Sequence, residues 1–388
     1  MKYDFVLFEN YYLAKNHHKD VLIIAKLLHQ CNYTVAIADP IGGDESFNDE
    51  NISIINHPFK YASELKYYGK ITLMQSIKNK WRVFQYYTSL YSMIKDLKGK
   101  CKNLYAGSYF SRMPVWWMFL LPKDINIFFW GLRSSRLIEY KYQPFSISGI
   151  NSFFLRCIVN RRKNIKFFVS DEIIKDEFIK LGIGEKRLVV RPERVIGKLH
   201  TAEKSSDKNT LRLLSIGSIR KQKKIEFCLD AVRRLNNENI SFVIAGNNTD
   251  EDYENTIKKH SEGLKNVTRL NYRIPDQEYD TLMNEADFLV LCDEQQLSTV
   301  TNGTMNEALL KGTPIIAPNY NPYKYYIEKY GIGLLYDPKN SQSLEEAIEE
   351  SFKKGKQSFS DAIKNYQNSL LEENVLIAFR NNLEYVIA

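Results

Sequence analysis

Leu211-Arg212-Leu213-Leu214-Ser215-Ile216-Gly217 is a short apolar run stopped by glycine. Residues 225–235 then repeat their apolar positions at helical spacing, and Ile240-Ser241-Phe242-Val243-Ile244-Ala245-Gly246 is a second apolar run with a glycine stop. Strand, helix and strand in this order make one βαβ unit. Outward from it the rhythm continues. Residues 250–260 read as a helix, 267–272 as a strand, 275–285 as a short helix, 288–292 as a strand and 305–311 as a helix. Residues 313–317 and 333–336 read as strands, and 343–354 as a closing helix. Alternation of this kind predicts parallel pairing in a doubly wound sheet.

The N-terminal half has a looser version of the pattern. Strands are expected at 4–8, 34–38, 52–55, 103–105, 125–130 and 167–169, with helices at 21–29 and 77–97. The expectation is an α/β protein with two Rossmann-like lobes. The boundary is expected between Pro192 and Asn209, a stretch that includes the polar run 201–209 with Ser205-Ser206. The domains expected are 1–195, 196–365, and a C-terminal helical segment, 366–388, packing back on the first.

A chain of 388 residues with 44% apolar and 26% charged residues has enough material for real cores and is neither disordered nor membrane-spanning in composition. The longest apolar run, Val115-Trp116-Trp117-Met118-Phe119-Leu120-Leu121, lies between Pro114 and Pro122. It is far short of the roughly 20 residues that cross a bilayer. The first residues lack a signal peptide's apolar core and read as a buried strand, so a cytoplasmic location is expected. Five scattered cysteines without CxxC spacing, and histidines adjacent only at His17-His18, argue against a disulfide framework or a metal site.

The net charge of +8 is unevenly spread. Residues 1–200 carry 31 Lys and Arg against 18 Asp and Glu, whereas residues 201–388 carry 23 against 28. The basic half suits an anionic surface. Residues 70–102 hold eight cations and one acid, interleaved with Trp81, Phe84, Tyr86, Tyr87 and Tyr91; residues 153–168 add five cations and no acid. Two readings are open: an anionic membrane face, or a helix with a buried aromatic stripe and a solvated basic side. No motif supports nucleic acid.

Doubly wound sheets bind ligands at the carboxyl ends of their strands, near helix N-termini. Gly217 is followed by Ser218-Ile219-Arg220-Lys221-Gln222-Lys223-Lys224, with four cations in its last five residues, where a diphosphate would lie. A solvated basic turn reads the same way. The loop 293–301 leads into Asn302-Gly303-Thr304-Met305-Asn306-Glu307-Ala308. Asn-Gly permits a tight turn that presents amides at a helix start, and Glu307 can accept from a ribose diol. The alternative is that Asn302 or Thr304 caps the helix and Glu307 only favours its start.

The layout Gly217…Arg220…Lys223, Val243-Ile244-Ala245-Gly246, Ile274-Pro275-Asp276…Ala286-Asp287 and Glu307-Ala308-Leu309-Leu310-Lys311-Gly312-Thr313-Pro314-Ile315-Ile316-Ala317 resembles the retaining glycosyltransferases of the GT4 type, also called glycosyl transferases group 1. The resemblance covers about residues 165–350. It implies the GT-B fold, two Rossmann-like doubly wound domains facing across a cleft. It also implies that Lys223, with Arg220, holds the donor diphosphate and that Glu307 holds the ribose. Tyr272, Arg273 and Ile274 would cradle the base, and Gly217, Ser218, Thr299, Thr301, Asn302, Gly303 and Thr304 would line the donor site. Two positions depart from the family: Thr299 stands where a glutamate contacts the donor sugar, and Ser218 stands where an arginine follows the glycine. On the acceptor side the resemblance points to the loop 9–18, with His17 and His18, and to Trp130, Gly131 and Arg133.

The implied reaction moves a sugar from a UDP- or GDP-type nucleotide-sugar to a saccharide or lipid-linked acceptor, with no metal or other cofactor, in bacterial surface polysaccharide synthesis. The protein would be cytoplasmic or peripheral on the inner membrane face. The alternatives are a sugar-nucleotide 2-epimerase of the same fold and a non-catalytic nucleotide-sugar-binding relative. Lys223 is expected to be exposed.

Overall fold

A computed structural model describes residues 2–8, 15–39, 50–56, 73–97, 99–107, 115–131, 135–191, 196, 199, 209–294 and 302–388. The chain forms two compact units, Met1–Glu193 with Val375–Ala388, and Arg194–Asn374.

The first unit is built on seven strands: β1 (Tyr3–Phe8), β2 (Val35–Asp39), β3 (Ser53–Asn56), β4 (Cys101–Ala106), β5 (Asn126–Trp130), β6 (Ile165–Val169) and β7 (Leu188–Val190). Their order is β3-β2-β1-β4-β5-β6-β7, and every pair is parallel. Parallel sheets are covered on both faces, which is why Val6, Leu7 and Phe8, and all of β6, are buried in unbroken runs. One face packs Val6, Phe129 and Phe167 against Leu90, Met93, Met118, Leu155 and Val159. On the other, Phe128 stacks on Phe168 and Phe168 on Phe379 of the C-terminal helix Glu372–Ile387. That helix also presents the Val386 carbonyl to the Lys166 ammonium and the Arg380 guanidinium to the Gln30 carbonyl. Burial lowers the Lys166 pKa, and the nearby Arg187 lowers it further.

The second unit holds β8 (Leu211–Ile216), β9 (Ile240–Ala245), β10 (Val267–Leu270), β11 (Phe288–Val290), β12 (Ile315–Pro318) and β13 (Gly333–Tyr336). Their order is β10-β9-β8-β11-β12-β13, again all parallel. All six expected C-terminal strands are present within a few residues of their predicted bounds. The unit runs on through the helix Ser360–Asn368, where Tyr366 OH donates to Asn306 Oδ1 at 3.0 Å and Gln367 Nε2 to the Leu309 carbonyl at 2.9 Å.

The two orders share one logic. The chain winds outward from a first strand, β1 or β8, then returns to that strand's other side, at β4 or β11. The adjoining helices leave in opposite directions there, and the opening between them is the topological switch point.

Candidate nucleotide-sugar site at the second switch point

The site starts from two glycines. Gly217 ends β8 with φ +108° and Gly246 ends β9 with φ +137°, backbone conformations that suit glycine. A Cβ on Gly246 would lie 1.8 Å from the Gly217 carbonyl oxygen, so the two turns close on each other only while position 246 has no side chain. A Cβ on Gly217 would lie 3.8 Å from Lys223 Nζ and 3.6 Å from Thr304 Oγ1. Gly217 thus brings the basic turn and the start of the helix Gly303–Leu310 to one point.

Lys223 ends the 3-10 turn Lys221–Lys223. It is half-buried, and Nζ donates to the Ile216 carbonyl at 3.0 Å. This corrects the expectation of an exposed lysine: the turn folds the side chain back over the end of β8. Burial lowers its pKa, Asp293 opposes that shift, and Arg220 reinforces it. Arg220 stays exposed, with Nε donating to Ser218 Oγ at 3.1 Å.

The loop after β11 faces this turn. Glu294 N donates to the Gln222 carbonyl at 2.7 Å, and Lys224 Nζ pairs with Glu294 Oε1 at 3.1 Å. Asn302 caps the helix Gly303–Leu310: its Oδ1 accepts from the amides of Thr304, at 2.9 Å, and Met305, at 3.2 Å. The capping alternative therefore describes Asn302. Its oxygen occupies the Thr304 amide, which was expected to face a phosphate, whereas the Gly303 amide has no acceptor among the described residues. Asn302 Nδ2 donates to Asp293 Oδ2 at 3.1 Å and to Tyr323 OH at 2.8 Å, and the Tyr323 hydroxyl donates to Asp293. Burial, followed by the Asp293 charge, pushes the buried Tyr323 phenol well above its ordinary range. Sequence reading missed Asp293 and Tyr323. The available signal was Asp293's place as the first carboxylate after a wholly apolar strand end.

Glu307 lies half-buried in the second turn of the capped helix. Tyr272, Arg273 and Ile274 follow β10, at the outer edge of the same carboxyl side; Tyr272 OH donates to Glu278 Oε1 at 2.6 Å. Beneath them Arg269 makes hydrogen bonds from Nε and Nη2 to the two Glu254 carboxylate oxygens at 3.1 and 2.9 Å. Its Nη1 donates to the Gly246 and Leu270 carbonyls at 2.9 and 2.7 Å, so this partly buried pair fixes the ends of β9 and β10.

The acceptor-side residues fare differently. Arg133, like Thr299 and Thr301, lies outside the described residues. His17 and His18 stand in the first turn of the helix Lys15–Gln30 and not in a loop. Trp130 is buried, with the Arg191 guanidinium 4.9 Å from its ring centroid. A Cβ on Gly131 would meet Phe178 Cζ at 2.8 Å, so packing accounts for that glycine.

Residues 198–369 match the family described as Glycosyl transferases group 1. The C-terminal unit is a group 1 glycosyl transferase domain. No curated protein matches the sequence. Among solved structures, WaaG, a glycosyltransferase involved in lipopolysaccharide biosynthesis, is 15% identical, with 99% of each chain covered and a TM-score of 0.58. A glycosyltransferase from Rickettsia africae ESF-5 is 16% identical over 98% of this chain and 97% of its own, with a TM-score of 0.62. Anabaena Alr3699/HepE in complex with UDP is 13% identical over 99% of each chain, also with a TM-score of 0.62. These likenesses span both units, and the glycosyltransferase has the GT-B fold.

Proposed function

We propose that this glycosyltransferase moves a sugar from a UDP- or GDP-type donor to a saccharide or lipid-linked acceptor, with retention at the anomeric carbon, in bacterial surface polysaccharide synthesis. The carrying observation is the meeting of Gly217, Lys223 and the start of the helix Gly303–Leu310 at one switch point. The group 1 domain and the UDP and UDP-glucose complexes of Alr3699/HepE support the donor class.

In this reading the diphosphate lies over Gly217, which has no side chain of its own in the way. The Lys223 ammonium and the Gly303 amide face it, and Arg220 approaches from solvent. As the bond from the anomeric carbon to the diphosphate oxygen breaks, negative charge grows on the leaving group. A cation already in place stabilises that charge more than it stabilises the intact donor. The acceptor oxygen forms the new bond to the anomeric carbon on the face the diphosphate leaves, and the departing diphosphate takes the acceptor's proton. Glu307 holds the ribose, and Tyr272 to Ile274 border the base. The nucleotide-sugar is a substrate, and the reaction as proposed uses no further cofactor.

Calorimetric titration with a panel of UDP- and GDP-sugars tests the reading. Saturable binding of one donor, followed by sugar transfer read by mass spectrometry, is expected. Binding of none of them would sink it, and donor binding without turnover would leave a nucleotide-sugar-binding protein. The proposed location is the cytoplasm; no helix among the described residues is long and apolar enough to cross a membrane.

A further inference from the structure

Three helices of the first unit carry apolar side chains on both sides. Leu73–Leu97, Val115–Leu120 and Ile147–Arg161 direct Leu90 and Met93, Met118, and Leu155 and Val159 into one core against one face of the sheet. They therefore form a single outer layer. On the side away from the sheet, Met74, Ile77, Trp81 and Phe84 recur at spacings of three and four, one stripe along the first helix, and all are exposed. Trp81 is 59% exposed and stacks on Phe84 at 5.3 Å. Sequence alone could not separate a buried aromatic stripe from an outward one; here Trp81, Phe84 and Tyr91 face out, and the side chains of Tyr86 and Tyr87 lie outside the described residues.

The other two helices lie side by side. The Val115 amide donates to Asn151 Oδ1 at 3.2 Å, and Arg162 donates to the Met118 and Leu121 carbonyls, so the pair is tied at both ends. The second helix shows Ile147, Ile150 and Phe154 to solvent, and the first shows Phe119 and Leu120.

The most exposed large apolar side chain among the described residues is Phe145, at 96%, followed by Ile147 at 90%. Phe145 stands on a tight turn. Ser146 N donates to the Gln143 carbonyl at 3.1 Å, and Ser146 Oγ accepts from the Gly149 amide at 2.9 Å. A Cβ on Gly149 would come within 1.9 Å of the Gln143 oxygen. The fold thus presents a phenylalanine on a fixed support with no cover among the described residues, and monomeric soluble proteins rarely expose large contiguous apolar patches.

Charge decides what covers it. From Lys141 to Ser170 the sequence has six cations and no acid, and Lys141, Arg161 and Lys163 are exposed. Lys78, Lys95 and Lys123 are exposed on or beside the other two helices. A two-fold pairing of this face with itself would set these cations against one another with few acids to offset them. Nucleic acid would have no use for the aliphatic Met74, Ile77, Leu120, Ile147 and Ile150. An apolar face rimmed by Lys and Arg fits a bilayer with anionic headgroups.

We propose that the outer face of this helical layer docks on an anionic lipid bilayer, with Phe145 and Ile147 entering the acyl boundary and the surrounding lysines and arginines lying among the headgroups. The proposal does not rest on the transfer reaction, because vesicle binding needs no sugar donor. The test is flotation of the full chain with vesicles of phosphatidylglycerol and phosphatidylcholine, and with phosphatidylcholine alone. Binding is expected only to the first and should weaken with salt. Phe145→Ser with Ile147→Ser should weaken it about tenfold or more while leaving circular dichroism and melting unchanged, because both side chains are already in water. Arg161→Glu with Lys163→Glu keeps the apolar surface and should also reduce binding. Absence of binding, equal binding to neutral vesicles, or binding indifferent to both variants would overturn the proposal. So would light scattering that shows a dimer dissolved by the Phe145 and Ile147 variant in a protein that ignores vesicles. Failed flotation beside a successful donor titration would remove the membrane face and leave the transfer reading standing.

Discussion

At the end of β8 the chain leaves through Gly217; Gly246 packs on its carbonyl too closely to carry a side chain, and Lys223 and Thr304 come up beside Gly217. At the end of β5 it leaves through Trp130 and Gly131, where Arg191 covers the indole and Phe178 fills the space beside the glycine. Both sheets have the same order of winding, and both edges use a glycine for close approach. In one the approach brings a cation and a helix start together, where the donor diphosphate is proposed to lie; in the other it closes room between side chains. Topology sets where a site can form, and the residues that follow each strand decide whether the place is given to recognition or to packing.

Lys223→Ala should break the comparison most sharply. Loss of one preorganised charge at a developing anion costs about a hundredfold to a thousandfold in turnover. The hydrogen bond to Ile216 that goes with it should cost only about 1 kcal/mol of stability. Steady-state kinetics beside thermal melts would check both, and unchanged turnover would remove Lys223 from its role. Gly131→Ala should do the reverse: about 1–3 kcal/mol of stability lost through overpacking against Phe178, with nucleotide affinity intact. A large loss of affinity in a protein that melts normally would return Gly131 to the functional residues.

Asp293→Asn has the smallest expected effect. The Lys223 ammonium is already disfavoured by burial, and the Asp293 charge partly restores it. Without that charge Lys223 should lose its proton at lower pH, so the alkaline fall in kcat/KM should move to lower pH. A limb that does not move would mean that Asp293 acts only by holding Asn302 and Tyr323.

The second sheet was legible because strands buried on both faces leave continuous apolar runs, as at Phe288–Val290 and Ile315–Pro318. The helix Ile147–Arg161 was not, since it opens on Ile-Ser-Gly-Ile-Asn-Ser, a poor helix former. It is held by the Ser146 cap and the burial of Leu155 and Val159. β7, three residues long, carries too little pattern to be seen. In the site, Gly217 and Lys223 belong to one strand-end turn and could be read locally. Asp293 and Tyr323 meet across thirty residues at the ends of neighbouring strands, a contact that exists only once the sheet is formed. The packing roles of Trp130 and Gly131 depend on Arg191 and Phe178, which sequence distance conceals.

The chain leaves its first unit at Glu193 and returns to it at Val375. During synthesis the second unit has everything it needs once Asn374 has emerged, whereas the first must wait for Phe379 to cover Phe168 and for the Val386 carbonyl to meet Lys166. The half of the protein that is made first is therefore the half that finishes folding last.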